Sequence, residues 1–109
     1  MRVIISRTIT VDPASEAYQT IYTVSPGSRF RLERVKVYFP PGTASELQVK
    51  ILQGWTSIAP TEGFFSGDSM EFSHEVHAEY GGESRVIAFL KNLNTASAKQ
   101  CTITLEGEE

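Results

Sequence analysis

The chain is predicted to fold as an all-β protein, an antiparallel β-sandwich of about seven or eight strands, on three observations. Apolar residues recur at every second position over most of the sequence, which is the spacing of a half-buried strand. Clusters of Gly, Pro, Ser and Asp interrupt that alternation roughly every 8–12 residues, as sandwich turns do. No stretch joins a helical apolar period to capping residues, so no helix longer than a turn is expected. The 109 residues form a single domain, 1–109, with no internal repeat, able to bury about two thirds of the surface its unfolded chain exposes.

In chain order, Arg2–Val11 alternates Val3, Ile5, Ile9 and Val11 against Ile4, Ser6, Thr8 and Thr10, with Arg7 breaking the inward row at an exposed or intersubunit end. Asp12-Pro13-Ala14-Ser15 is a turn, Ala17–Val24 a Tyr- and Thr-rich strand, and Ser25-Pro26-Gly27-Ser28 a second turn. The next stretch organises the rest: Arg29–Phe39 and Ser45–Gln53 read as a pair of long strands joined across Pro40-Pro41-Gly42-Thr43. In the first, Phe30 and Leu32 share one phase and Val35, Val37 and Phe39 the other, which requires a β-bulge or a sheet-to-sheet bend near Glu33-Arg34. Pro40 cannot donate to a ladder and Gly42 accepts positive φ, so the strand ends there.

Gly54 to Asp68 holds three glycines, a proline and the aromatics Trp55, Phe64 and Phe65. It reads as a long connection with room for one short strand, the kind of loop that carries contacts. Ser69–Tyr80 then puts Met70, Phe72, His74, Val76, Ala78 and Tyr80 on one face. Gly81-Gly82 turns the chain into Ser84–Leu90, whose run Val86–Leu90 suits a central strand covered on both faces. A polar loop, Asn92–Lys99, precedes the last strand, Gln100–Leu105, and an acidic tail, Glu106-Gly107-Glu108-Glu109.

Ten basic against thirteen acidic residues leave a formal charge of −3, which argues against nucleic acid as a partner, since phosphate binding needs surplus Lys and Arg. No apolar run approaches the roughly 18–20 residues of a membrane helix, so no membrane partner is expected. Met1-Arg2 leads into strand pattern without an apolar leader segment, and the ends leave no residues for a tether, which points to synthesis in the cytoplasm. Cys101, the one cysteine, alternates with Ile103 and Leu105 and reads as core.

No constellation demands a reaction, so no enzyme, cofactor or metal is expected. His74 and His77 are three apart on a strand and point to opposite faces. Gly67-Asp68-Ser69-Met70 is similar to an esterase signature, but that family needs an α/β fold and a later histidine, and none follows His77. Asp68 and Glu71 lack the spacing of a calcium loop.

Charge is segregated. From Trp55 to Ser84 there are six acidic residues, Glu62, Asp68, Glu71, Glu75, Glu79 and Glu83, and no Lys or Arg, while Arg29, Arg31, Arg34 and Lys36 sit in one strand. Either the two segments pair within one chain, or one subunit's basic strand meets another's acidic strand around a ring. Trp55, Phe64 and Phe65 likewise have two readings. They are contact residues for a protein or a sugar, or they fold back as a lid on the core.

A long bent strand in Arg29–Phe39, the Pro40-Pro41-Gly42 turn, and the late segments Gly67-Asp68-Ser69-Met70 and Phe89-Leu90-Lys91-Asn92 give the chain a plan that resembles small jelly-roll virion accessory proteins, which decorate the capsids of tailed phages or related viruses. The resemblance covers most of the chain as a strand pattern and carries over no functional residue. It implies a jelly-roll fold, a homo-oligomer with a trimer favoured, and a cement protein located in the virion and assembled in the host cytoplasm. Its partner would be the major capsid protein or another virion protein. The competing expectation is a carbohydrate-binding sandwich that presents Trp55, Phe64 or Phe65 to a glycan.

Overall fold

A computed structural model describes all residues, 1–109, as eight strands and no helix. The strands are β1 (Arg2–Val11), β2 (Glu16–Thr23), β3 (Phe30–Phe39), β4 (Leu47–Gln53), β5 (Thr56–Ala59), β6 (Met70–Tyr80), β7 (Arg85–Asn92) and β8 (Lys99–Glu108). They form two four-stranded sheets, β1-β8-β3-β6 and β2-β7-β4-β5, in a sandwich measuring 44 × 23 × 22 Å. The antiparallel partners are β1 with β8, β2 with β7, β3 with β6 and β4 with β5. A chain that pairs its ends inward in this nested way is a jelly roll.

Between the sheets lies one apolar cluster of 23 buried residues, among them Phe30, Phe39, Ile21, Leu47, Leu90 and Leu105. Cys101 is fully buried there, and burial pushes its thiol pKa up to about 12. In β3 the register shifts between Leu32 and Arg34 against both neighbours, so Glu33 is the extra residue and both apolar phases face inward. β3 stays in one sheet throughout, so the shift is a bulge and not a corner between layers.

Several sequence expectations are corrected. β3 and β4 are not a hydrogen-bonded pair but lie in opposite sheets. Their connection crosses the roughly 10 Å between layers with Gly42 (φ 95°), Ala44 (φ 54°) and Ser45 (φ 57°) in the left-handed region. Asp68 clamps that crossing by accepting the N–H groups of Ala44 (2.7 Å) and Gly42 (3.1 Å), while Ser69 donates its hydroxyl to the other oxygen (2.9 Å). Led by the Ala44 bond, these contacts hold the Asp68 carboxyl below its ordinary range. The acidic tail is strand: β8 runs to Glu108, pairing Glu108 with Arg2 on one side and Arg31 on the other. Gly107 leaves no space there, because a Cβ would sit 2.3 Å from the Arg31 carbonyl and 2.7 Å from the Phe30 ring.

Arg7, the break in the β1 pattern, donates Nε–H to the Ile21 carbonyl (2.8 Å), beside the register shift between Thr20 and Tyr22 in β2, and so bridges the two sheets at their edge. The inner row of β6 is buried only at Val76, Ala78 and Tyr80; Phe72 and His74 are half-buried and Met70 is exposed. Across the layers from this eleven-residue strand, the edge strand β5 has only four.

Candidate functional site

The two outer faces differ in chemistry. On the β1-β8-β3-β6 face, hydroxyls pair across strands, Ser6 with Thr104 (2.8 Å) and Thr8 with Thr102 (2.9 Å). Charges there find partners within the chain: Arg34 with Glu75 (3.0 Å), Lys36 with Glu106 (3.0 Å), Arg31 with Glu33 (3.2 Å), and Arg2 with Glu33. Arg29, just before β3, reaches Glu79 at 3.8 Å. Lys36 holds the Glu106 carboxyl below its ordinary range, chiefly through their hydrogen bond, and Arg2 does the same to Glu33. The register that sets Arg34 opposite Glu75 and Arg31 opposite Glu79 thus uses the basic and acidic strands on each other inside one chain. Glu71 sits opposite Tyr38 with no cation partner.

The β2-β7-β4-β5 face is apolar at its centre. Register aligns Tyr18, Phe89 and Lys50 in one row across β2, β7 and β4, and Thr20, Ile87 and Leu52 in the next. The Tyr18 and Phe89 rings lie 4.9 Å apart, and Phe64, from the connection after β5, stacks 6.1 Å from Phe89. Lys50 Nζ lies 5.0 Å from the Phe64 centroid and 5.4 Å from that of Phe89, within cation–π range. Phe89 and Leu52 are buried apolar residues that stand outside the core cluster, covered on the outer face.

Trp55 completes this surface. Gln53 pairs with Thr56 across a two-residue turn, and Gly54 takes φ 61° at its first position, the type II′ requirement. The turn holds Trp55 out at 87% exposure with its ring 5.9 Å from Tyr18, edge to face. Tyr18, Leu52, Gly54, Trp55 and Ile87 line a hollow of about 270 Å³.

The sequence-predicted contact residues separate accordingly. Trp55 and the 39%-exposed Phe64 lie on this face. Phe65 takes the second of its two readings and joins the core instead of the contact set: it exchanges backbone hydrogen bonds with Val49 and packs on Phe72 and His74. Arg31, Arg34, Lys36, Glu71, Glu75 and Glu79 lie on the opposite sheet, with Arg29 at its end. Sequence reading missed Tyr18, Lys50 and Phe89, because a cross-strand row exists only once the register is known. The outward set Arg85, Ile87, Phe89 and Lys91 was the available signal, since Phe89 on an outward phase needs a cover.

Neither a protein-family model nor a curated protein sequence matches the chain. Solved structures do match in fold. A chain of the Sulfolobus turreted icosahedral virus aligns over 99% of this chain with TM-score 0.63 and 14% identity. This chain spans 29% of that one's length. A chain of the cyanophage Pam1 capsid asymmetric unit aligns over 97% of this chain and 83% of its own, with TM-score 0.55 and 7% identity. The structure of FLHE aligns over 99% and 98%, with TM-score 0.51 and 7% identity. The likeness is one of fold, shared with two virus structures and with FLHE.

Proposed function

We propose that the chain is a structural virion protein, not an enzyme, that binds a capsid lattice and stabilises it as a decoration or cement subunit. The observation that carries this reading is a jelly roll shared with two virion structures and bearing an exposed aromatic face. The Pam1 match adds that a chain of comparable length stands in a capsid asymmetric unit. Self-association draws support from the long outer strands β1 and β6, which pair on one side only within the chain; the trimer is our reading of its stoichiometry. Assembly in the host cytoplasm and residence in the virion follow from the same reading.

The test is co-sedimentation with empty capsid shells of the parent virus, with light scattering to give the subunit's mass. Saturable binding that raises the temperature at which shells break is expected. Failure to bind, or binding that leaves the shells no firmer, would overturn the reading. A glycan-binding role is favoured by one observation, Trp55 and Tyr18 side by side at an apolar hollow. Saccharide binding abolished by Trp55→Ala in a folded variant would establish it instead.

A further inference from the structure

We propose that the outer face of the β2-β7-β4-β5 sheet is the docking surface for an acidic protein partner, with Trp55 and Tyr18 as anchors and Lys50 and Arg85 as the cations that meet its carboxylates. This deepens the virion reading and rests on it, the partner then being a capsid protein.

The charge inventory selects this face. Of the ten Lys and Arg residues, all but Arg7, Lys50 and Arg85 pair with a carboxylate inside the chain. Arg7 spends its Nε–H on the Ile21 carbonyl. Arg7 keeps its charge at the edge between the sheets, away from the aromatic face, while the other two, Lys50 and Arg85, project from that face, because Arg85 shares the outward phase of Ile87 and Phe89 on β7. Glu79 and Glu83 line a hollow with Arg85 without an ion pair to it. Phe89 lies opposite Lys50, and Arg85 is four residues away along the strand. Strand rise and the spacing of neighbouring strands set the backbone positions of Lys50 and Arg85 roughly 14 Å apart, beside the apolar hollow. In a chain of formal charge −3, unpaired positive charge around exposed Trp and Tyr is a local feature of that surface and does not follow from overall composition.

The same inventory argues against a two-fold pairing of this face with itself. A two-fold contact of this face with itself sets identical surfaces opposite each other and brings Lys50 and Arg85 near like charges. The acidic row of a second copy, on β6, is already engaged: Glu75 and Glu79 pair with Arg34 and Arg29 of their own chain, and only Glu71 in that row lacks a cation. An acidic surface with an apolar side chain for the hollow satisfies both halves of the site, steering by charge and anchoring by burial.

The experiment titrates empty capsid shells of the parent virus with wild type, Trp55→Ala and the double variant Lys50→Glu/Arg85→Glu, with circular dichroism and melting to confirm folding. Lys50→Gln/Arg85→Gln serves as a second variant without charge reversal. Each variant is expected to keep its fold and its own mass and to bind at least about tenfold more weakly. Added salt is expected to weaken wild type and leave the Glu variant unchanged. Equal shell binding by wild type and all variants would overturn the inference and leave the virion role standing. A variant that changes the protein's own mass, or a neutral saccharide that binds through Trp55, would reassign the face. Wild type that fails to bind shells would remove the virion reading itself.

Discussion

The two outer faces of this sandwich are built by the same cross-strand logic and finish differently. On the β1-β8-β3-β6 side most polar rows close on themselves: hydroxyl meets hydroxyl, and Arg34 and Lys36 meet Glu75 and Glu106, with the Tyr38–Glu71 row the exception. On the β2-β7-β4-β5 side the row Tyr18–Phe89–Lys50 ends in an exposed ring and an unpaired ammonium. A face whose groups satisfy one another has little to offer a partner. A face that keeps Trp55 at 87% exposure leaves large apolar area in water, which binding can recover.

The largest expected effect lies beneath the closed face, in the core that both faces share. Gly107→Val drives a side chain into the β3 backbone and the Phe30 ring, and a stability loss of about 3 kcal/mol or more is expected in urea unfolding. Phe89→Ala removes the ring that holds Tyr18 and Phe64 on the other face. A loss of about 2 kcal/mol is expected, below the roughly 3–5 kcal/mol of a core Phe. Arg34→Glu and Glu75→Arg are each expected to cost under about 1 kcal/mol, with the double reversal restoring stability and no variant altering assembly, since the pair is solvent-screened and internal. An oligomer rescued only by the double reversal would return these charges to an intersubunit role. Trp55→Ala is expected to change stability by less than about 0.5 kcal/mol, because so little of the side chain is buried.

Acid should loosen the contacts that tie the sheets and their connections together. Asp68, Glu106 and Glu109 have folded-state pKa values held below the ordinary ones by bonds to Ala44 N–H, Lys36 and Ser25 N–H respectively. A depressed carboxyl contributes stability that is full above its unfolded pKa and is lost as pH falls through the folded one. Stability is therefore expected to be flat above about pH 5 and to fall below about pH 4. Asp68→Asn should flatten that acid limb, and an unchanged limb would show that the Asp68 clamp is not its source.

Strand content was legible because alternation reports directly which face a residue occupies. Pairing was not legible, because alternation never names the neighbour: the long segments β3 and β4 looked like a hairpin and lie in opposite sheets. The tail misled by composition, since three Glu in four residues look solvated although Leu105 and Gly107 continue the inward phase of β8. Trp55 and Phe64 could be found from loop composition. Phe65 could not be separated from Phe64, because an irregular segment has no period to read. The turn at Gly54-Trp55 carried a usable signal, a Gly at the first place of a two-residue link between strand patterns.

Hydroxyl-radical footprinting of the protein free and bound to capsid shells compares the two faces in one measurement. Trp55, Tyr18 and Phe64 are predicted to lose reactivity on binding while Tyr38 and Ile4, exposed on the charged face, keep theirs. Protection of Tyr38 and Ile4 with Trp55 still reactive would contradict the assignment of the aromatic face as the docking surface.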